Sequence, residues 1–399
     1  MVVSGVAAML TGCHVSEAKP VWTNRDFVTR SPVVLAGGVV LLVGTKDGAT
    51  KLWALGAGDG AVRWSTGLDR VADAGVGLVQ AADMVFVVDD QTVAAFGIGD
   101  GQKRWLTRTI APGTVDGLYV STAPVSAGGK VLFAGKLWSR VVAVDAATGQ
   151  AAWRTPANGD AEPQALAVHG DVVLSYGYNS VVASGLANGV QRWQLKIMKP
   201  AMNLLRDSVR LGPELGELVL AVDASTLLGI DRASGKERWR YQTKGPLSVG
   251  GSMSVIVLAD GNHTIGIDPA TGKARWTSDG SRAIAPLDGK SSLAISGSKA
   301  FVVSHADGKV LASASVSTKD DLRILAAAGN KVVFGDVEHT WLAAFDGGKL
   351  VLSEIGDHPR ASGAVLTDRR FTDVQSVEAV TDGSMIVTQA KSGAINAYK

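Results

Sequence analysis

The residues of this chain that could do acid–base, nucleophilic or metal chemistry are scattered rather than grouped. The six histidines are His14, His169, His263, His305, His339 and His358. None of them form the H-x-x-x-H spacing that places two metal ligands on one helical face. The acidic pairs Asp89-Asp90 and Asp320-Asp321 lie in short predicted turns, where a solvated carboxylate is the ordinary role. No G-x-S-x-G nucleophile elbow occurs. We therefore assign no catalytic residue, metal ligand or cofactor-binding residue.

The one cysteine, Cys13, ends the stretch Leu10-Thr11-Gly12-Cys13. This stretch resembles the lipobox of bacterial lipoproteins, where small residues precede a cysteine that is acylated and becomes the mature N-terminus. The resemblance implies a signal peptide at 1–12, a palmitoylated Cys13 and a lipid-anchored tether at 13–20. Two or three acyl chains would hold the protein on a membrane, because one chain binds only marginally. The alternative is a buried, unpaired cysteine in an N-terminal strand.

Signal peptides start with a basic region, yet no lysine or arginine precedes Cys13. We therefore expect that translation starts upstream of Met1. No run of about 18 apolar residues follows, so no membrane-spanning helix is predicted.

Composition points to a folded protein that does not bind nucleic acid. Of 399 residues, 46% are hydrophobic and 19% are charged, and the net charge is only +2. A nucleic-acid binder would show a basic stripe and a strong positive excess. The 48 glycines and 12 prolines suit many tight turns.

A short hairpin with a terminal tryptophan recurs about every 42 residues, as in DAATGQAAW at 145–153 and DPATGKARW at 268–276. The repeated tryptophans are Trp64, Trp105, Trp153, Trp193, Trp239 and Trp276. A glycine stands four residues before each, at Gly60, Gly101, Gly149, Gly189, Gly235 and Gly272. An alanine or glycine stands ten residues before each tryptophan, as at Ala143.

The repeat has a mechanical interpretation. The glycine supplies the positive φ of the turn, and the small residue leaves room for the indole. A four-stranded sheet cannot bury both faces alone, so it must stack on neighbouring sheets. We expect the tryptophan to dock against the adjacent sheet, with its ring buried and its N–H bonded to backbone.

Four predicted strands in each unit of about 42 residues indicate an all-β chain folded as a β-propeller. GAINAYK at the C-terminus matches a third strand, and KPVWTN, with Trp22 in the docking position, supplies the missing fourth. Pairing of the two termini would close the ring and leave no open edge. We predict eight blades over 21–399, with seven or nine also open, because the unit at 281–318 has no clear fourth strand.

The pattern A-x-D-x-x-T-G-x-x-x-W at 143–153 resembles the tryptophan-docking motif of quinoprotein-type, PQQ-like propellers. The resemblance covers nearly the whole chain after about residue 20. This superfamily contains PQQ-dependent dehydrogenases and also non-enzymatic lipoproteins of the BamB type, which serve in outer-membrane β-barrel assembly.

The resemblance implies two different functions. A PQQ enzyme would hold calcium through Glu, Asn and Asp oxygens beside the quinone, often under a vicinal cysteine pair. That pair is absent, because the chain has one cysteine. We expect no cofactor, and keep PQQ with calcium as the alternative, together with a small-ligand or sugar sensor that uses the central funnel.

Two long connections between blades, 194–216 and 354–373, are the predicted partner-binding elements. Apolar side chains ringed by arginine suit a protein interface. The candidates are Met202, Leu204, Leu205, Arg206, Arg210, Arg369, Arg370 and Phe371. The alternative is that the apolar residues pack each loop onto its own propeller while the arginines are solvated. We predict a non-catalytic, extracytoplasmic lipoprotein scaffold in a bacterial cell envelope, which binds another envelope protein.

Overall fold

The strands of this protein are short apolar runs that end at glycine-containing turns. The structure is a computed structural model. It describes residues 16–69, 76–89, 92–108, 124–135, 140–155, 165–176, 180–196, 216–223, 226–243, 248–252, 254–260, 263–281, 283–316, 322–336, 339–355, 379–381, 385–389 and 394–399. Every regular element in these residues is a strand, which confirms the all-β prediction.

The strands form nine sheets, each a blade of the propeller, and their pairing is antiparallel except where β1 joins β34. Blade 1 combines strands from both ends of the chain, and blades 2 to 4 follow in the N-terminal half. Blade 1 contains β35 (Ala379–Thr381), β36 (Ile386–Gln389), β37 (Ile395–Tyr398) and β2 (Trp22–Asn24). Blade 2 contains β4 (Val34–Ala36), β5 (Val39–Lys46), β6 (Ala49–Gly56) and β7 (Val62–Gly67), with β3 (Val28–Thr29) also on β5. Blade 3 contains β8 (Gly77–Ala81), β9 (Met84–Val88), β10 (Thr92–Gly97) and β11 (Lys103–Arg108). Blade 4 contains β12 (Val125–Ala127), β13 (Lys130–Gly135), β14 (Arg140–Asp145) and β15 (Ala151–Arg154).

The remaining five blades follow in chain order. Blade 5 contains β16 (Ala165–His169), β17 (Val172–Tyr176), β18 (Ser180–Gly185) and β19 (Gln191–Lys196). Blade 6 contains β20 (Leu218–Asp223), β21 (Thr226–Asp231) and β22 (Glu237–Gln242), and blade 7 contains β23 (Ser248–Ser252), β24 (Val255–Ala259), β25 (His263–Ile267) and β26 (Ala274–Asp279). Blade 8 contains β27 (Ala283–Pro286), β28 (Ser291–Ser296), β29 (Lys299–Ser304) and β30 (Val310–Ser315). Blade 9 contains β31 (Arg323–Ala328), β32 (Lys331–Gly335), β33 (Thr340–Asp346) and β34 (Lys349–Ile355), and β1 (Ser16–Ala18) joins its edge.

The blade number is nine in the described residues, one of the three numbers that the sequence left open. The preferred count of eight omitted the unit at 281–318. This unit is a complete blade, whose fourth strand is β30. Its fourth strand was unclear in the sequence because the β30 sequence, VLASAS, has Ala312 where the other repeats have tryptophan.

The apolar core lies between successive blades. Middle strands such as β18 and β24 are buried along their whole length, because a neighbouring blade covers each of their faces. Outer strands such as β7 and β19 are mostly exposed. Each core cluster combines two blades; for example, Val40 and Leu42 of blade 2 pack with Val387 of blade 1. This burial pattern follows from the inability of a lone sheet to cover both its faces.

The ring closes within blade 1, as the sequence predicted. Strand β2 pairs antiparallel with β37, so that Trp22 lies opposite Ala397 and Asn24 opposite Ile395. The strands of blade 1 therefore come from both ends of the chain, and neither edge of the ring is left open.

Each blade has two ends, and the chain direction distinguishes them. The turns between third and fourth strands lie on one face of the ring, which we call the turn face. The connections from a fourth strand to the next blade lie on the opposite face, which we call the loop face. The chain from 197 to 215 follows β19, and the chain from 356 to 378 follows β34, so both connections leave from the loop face.

Candidate functional site

The tryptophan of each repeat contacts the turn glycine of the following blade. A Cβ built on Gly235 would lie 2.5 Å from Cγ of Trp193, and a Cβ on Gly272 would lie 2.5 Å from Cδ2 of Trp239. The pairs in contact are Trp22 with Gly60, Trp64 with Gly101, Trp105 with Gly149, Trp153 with Gly189, Trp193 with Gly235, Trp239 with Gly272 and Trp276 with Gly308. Only a residue without a side chain fits beneath each ring.

Each indole N–H donates a hydrogen bond to the same backbone position of the next blade, three residues before the contacted glycine. The acceptor carbonyls and distances are Ala57 2.6 Å, Ile98 2.8 Å, Ala146 3.0 Å, Leu186 2.9 Å, Arg232 2.7 Å, Pro269 2.8 Å and His305 2.9 Å. A partly buried indole with a satisfied N–H contributes both apolar contact and direction to an interface. In the described residues, this arrangement joins blades 1 through 8 in sequence.

The turn of blade 4 that receives Trp105 is held by Asp145. Oδ1 of Asp145 accepts hydrogen bonds from the backbone N–H groups of Ala147 and Thr148 at 3.1 and 2.8 Å, and Gly149 has φ of 71°. The register shifts by one residue beside Ala143, which lies directly opposite Trp153 on the adjoining strand. The small residue ten positions before each tryptophan therefore leaves room within its own blade, whereas the turn glycine leaves room for the preceding blade.

Ion pairs on the outer rim fix the same turns. Arg275 contacts Asp268 at 2.6 Å, and Arg104 contacts Asp100 at 2.8 Å. The Arg275 side chain, together with two backbone N–H groups, holds the pKa of Asp268 below its usual range. These arginines are engaged in structural pairs, and because the pairs are exposed, solvent screens them and each adds little to stability.

The two interfaces of blade 9 have no docking tryptophan in the described residues. Between blades 8 and 9, Trp341 is almost fully buried and stacks on Phe334, with ring centroids 5.6 Å apart. The interface between blades 9 and 1, which we call the seam, contains a smaller apolar cluster with Leu342, Ile355 and Tyr398. At the seam, tyrosine and aliphatic residues thus take the place of the repeated indole.

The seam also contains buried polar groups. The Thr23 hydroxyl donates to Oδ1 of Asn396 at 2.8 Å, and Asn396 lies opposite Thr388 in the sheet. Oγ1 of Thr388 and Nδ2 of Asn396 have no hydrogen-bond partner among the described residues. A buried polar group without a partner costs about 1–3 kcal/mol. The seam is therefore expected to be weaker than the tryptophan-joined interfaces.

Strand β1 crosses the seam from outside. It pairs in parallel with β34, so that Ser16 lies opposite Ser353 and Ala18 opposite Ile355. Ala18 packs on the apolar cluster of the seam. The interval 13–20, interpreted from sequence as a tether, thus contains a strand, and residues 16–24 connect blade 9 to blade 1.

The outer rim around the seam exposes apolar side chains. These residues, which we call the rim patch, are Val21 (46% exposed), Val310 (47%), Leu311 (49%) and Val351 (55%). They belong to blades 1, 8 and 9, and each lies at the turn-face end of its outer strand. In blades 2, 3, 5, 6 and 7 the residue before the tryptophan is an arginine paired with an aspartate, such as Arg104, whereas blade 4 has Ala152 there. Leu311 of blade 8 takes that position in its repeat.

His305 occupies a polar pocket between blades 7 and 8. Its Nε2 lies 2.8 Å from Oγ of Ser292, and its Nδ1 lies 3.2 Å from Oγ of Ser252. Burial lowers the pKa of His305, against the raising effects of the Gly289 carbonyl and Asp288. Ser292 is fully buried. Although this pair resembles a nucleophile and its base, the hydroxyl has no access to a substrate.

Of the acidic pairs Asp89-Asp90 and Asp320-Asp321, only Asp89 lies within the described residues. Asp89 is buried, and its Oδ1 accepts a hydrogen bond from the Thr92 backbone N–H at 2.5 Å, while Asp90, Asp320 and Asp321 lie outside the described residues. Within the described ranges, no group of three or more His, Cys, Asp or Glu side chains could hold a metal ion. The same part of the chain contains no helix long and apolar enough to cross a membrane.

The remaining predicted site residues are not placed. Cys13 and all eight partner-binding candidates, Met202, Leu204, Leu205, Arg206, Arg210, Arg369, Arg370 and Phe371, lie outside the described residues. Sequence reasoning missed Gly308, which receives Trp276, although Asp307-Gly308 stands four residues before Ala312 in the expected spacing. It also missed the rim patch, whose signal is the loss of the tryptophan and arginine from β30.

Comparison with solved structures supports the fold. BamB from Moraxella catarrhalis is similar with a TM-score of 0.54 and 14% identity, over 83% of this chain and 95% of that one. A quinohemoprotein alcohol dehydrogenase from Comamonas testosteroni gives a TM-score of 0.53 and 13% identity, over 82% of this chain and 72% of that one. A europium-containing methanol dehydrogenase gives a TM-score of 0.54 and 13% identity, over 95% of this chain and 93% of that one. These likenesses show the propeller fold and do not choose between scaffold and enzyme.

Sequence comparison identifies the family. No curated protein matches the chain significantly. A family model described as the outer membrane protein assembly factor BamB matches residues 11–211 and again residues 180–395. Because these two matches span nearly the whole length, the chain belongs to the BamB family of PQQ-like propellers.

Proposed function

We propose that this protein is a non-catalytic lipoprotein scaffold of the bacterial cell envelope, held by acylated Cys13 and binding another envelope protein. The observation that carries the proposal is the position of β1. Ser16 follows Cys13 by three residues and already pairs with the outer edge of blade 9. An acylated Cys13 would therefore hold the ring within about 11 Å of the anchor, since a residue spans at most about 3.6 Å.

The family match supports the scaffold role. The family description names an outer membrane protein assembly factor. The buried docking tryptophans and the paired rim arginines have structural roles, so the proposal assigns partner binding to the loop face. The two connections that contain the partner-binding candidates begin where β19 and β34 end, and these strand ends lie at the loop face.

Anchoring is tested by intact-mass measurement and membrane fractionation of the wild-type protein and of Cys13→Ala. We expect a diacylglycerol mass on the wild type and release of the variant into the soluble extracytoplasmic fraction. Wild-type protein without that added mass contradicts the anchor.

Partner binding is tested by crosslinking in intact cells followed by mass spectrometry, with the double variant L205A/R206A. We expect the variant to lose most of the crosslinked partner while keeping its thermal unfolding midpoint. Arg63→Ala is the matched control, because Arg63 is paired with Asp59 on the rim, 2.7 Å away. Unchanged recovery with L205A/R206A contradicts the loop assignment.

The enzyme alternative has its own test. The protein is mixed with PQQ and calcium, desalted, and examined for quinone absorbance and dye-linked alcohol oxidation. We expect neither signal. A retained quinone would replace the scaffold proposal with a quinoprotein oxidoreductase.

A further inference from the structure

We propose that the rim patch rests on the lipid surface to which the protein is anchored, so that the ring stands with blades 8, 9 and 1 against the membrane. This inference rests on the proposed anchor at Cys13, and it adds an orientation and a second contact. The patch consists of Val21, Val310, Leu311 and Val351, all between 46% and 55% exposed.

The direction of β1 brings the anchor to the patch. Because β1 runs parallel to β34, and β34 runs from Lys349 at the turn face to Ile355 at the loop face, the N-terminal end of β1 points toward the turn face. Val351 lies near the start of β34, at that same end. Three residues back from Ser16, Cys13 is within about 11 Å of β1. The acyl chains therefore enter the bilayer beside the rim patch.

The other members of the rim patch lie at the same end of neighbouring outer strands, while single exposed apolar side chains also occur on blades 2, 3 and 5, at Val28, Val62, Leu106 and Val190. Val310 and Leu311 begin β30, and Val21 immediately precedes β2. The outer strands β30 and β34 of blades 8 and 9 contact each other directly. Apolar side chains on three consecutive blades thus share one edge of the ring, and an exposed group of this kind marks an interaction surface.

The charges around the patch favour a contact that does not depend on anionic lipid. Exposed lysines at Lys19, Lys309 and Lys349 are balanced by the acids Glu17, Asp307 and Asp346 on the same edge. The rim patch therefore has no net attraction to anionic headgroups, and apolar contact next to an existing anchor is sufficient. A second weak contact adds greatly to an anchor, because the tethered patch is already at high effective concentration.

The orientation is compatible with partner binding. The rim patch lies at the turn-face ends of the outer strands, whereas the connections 197–215 and 356–378 begin at their loop-face ends. A ring that touches the membrane along the turn-face edge of blades 8, 9 and 1 keeps the loop face available to another protein.

The experiment uses the full lipidated chain, reconstituted in phosphatidylcholine vesicles that contain spin-labelled lipid. Acylation occupies the single native thiol, so a fluorophore can be attached to one introduced cysteine, Leu311→Cys or Val351→Cys. The matched control is Val190→Cys, since Val190 is 60% exposed beside the outer strand of blade 5, on the far side of the ring. We expect at least twofold stronger quenching at 311 and 351 than at 190, unchanged when anionic lipid is added.

Each outcome decides a different point. Equal quenching at all three positions, on protein whose mass shows the attached lipid, overturns the rim contact and leaves the anchor intact. Protein without the lipid mass overturns the anchor itself, together with this inference. Crosslinks between position 311 of two copies, increasing with protein density on the vesicle, would assign the patch to self-association instead.

Discussion

The indole of Trp239 lies on Gly272 of the following blade, and its Nε1 donates a hydrogen bond to the Pro269 carbonyl oxygen at 2.8 Å. Gly272 has φ of +68°, so this one glycine meets two requirements. It permits a left-handed turn, and it leaves the space that the ring fills. These two requirements can be separated by mutation.

Gly272→Ala is expected to destabilise the protein more than Gly48→Ala. Both glycines have positive φ, but a Cβ at Gly48 would meet nothing within 4 Å. Gly48→Ala costs only the left-handed conformation, about 1 kcal/mol. Gly272→Ala adds displacement of the indole, about 1–3 kcal/mol more. Calorimetric unfolding midpoints of the two variants measure the difference, and equal midpoints would show that the ring contact contributes nothing.

Trp193→Ala is expected to cost about 3–5 kcal/mol, the range for removing a large buried aromatic side chain. The indole is 7% exposed and its N–H bonds to the Arg232 carbonyl, so both packing and a hydrogen bond are lost. Val190→Ala, beside the same strand but 60% exposed, should change stability by less than about 0.5 kcal/mol. Chemical unfolding of both variants checks the contrast.

Thr388→Val is expected to stabilise the seam. The Thr388 hydroxyl is fully buried and has no partner among the described residues, and valine has nearly the same shape. Removal of the unsatisfied group should gain about 1 kcal/mol. Thr264→Val is the control, because the equally buried Thr264 hydroxyl lies 2.8 Å from Oγ of Ser281. That variant should lose stability, and a loss at both positions would contradict our description of the seam.

Ala18→Glu is expected to detach β1 from the seam. The introduced carboxylate would face the apolar cluster of Leu342, Ile355 and Tyr398, at a cost of about 1–3 kcal/mol. Hydrogen exchange should become faster at 353–355, the residues that β1 pairs with. Lys19→Glu, one exposed residue later, should leave this exchange unchanged.

His305 makes the protein sensitive to mild acid. Burial lowers its pKa in the folded state, so the unfolded chain binds the proton more strongly. Stability is then complete above the unfolded pKa of about 6.5 and falls as the pH drops below it, by up to about 1.4 kcal/mol per pH unit. The pKa of His169 is also lowered, by burial and by Arg232, and it contributes with the same sign.

The measurement is the unfolding midpoint between pH 8 and pH 5. His305→Gln should lose part of the decline below pH 6.5, whereas a change of the half-exposed His263 to Gln should keep it. A decline of equal slope in the wild type and His305→Gln would assign the acid sensitivity to other groups.

The sequence predicted the fold to the extent that the fold is periodic. The spacing of glycine and tryptophan was sufficient to predict four-stranded blades. The lone Trp22 near the start was sufficient to predict that strands from the two ends of the chain pair and close the ring. Spacing left blade 8 uncertain, because Ala312 replaces the tryptophan and packing with Trp341 of blade 9 takes over. The periodic pattern is a poor guide at this interface, because a side chain from a different position, Trp341, fills the space that the repeated tryptophan fills elsewhere.

The seam and the rim patch were beyond prediction for a different reason. Both depend on contacts between residues far apart in sequence, such as Ser16 with Ser353. Nothing in Ser-Glu-Ala at 16–18 distinguishes a parallel edge strand from a tether. Exposure of Val310, Leu311 and Val351 likewise follows from which outer strands become neighbours in the ring.

Closure by residues 16–24 sets the order in which this protein can fold. The strands β1 and β2 leave the ribosome first, yet their partners β34 and β37 are made last. Strands β1 and β2 must therefore remain unpaired until β34 and β37 have been made, while blades 2 to 8 can stack one after another. Contacts between such distant residues form slowly. Until β1 and β2 pair with β34 and β37, the ring is therefore an open arc with two unpaired sheet edges.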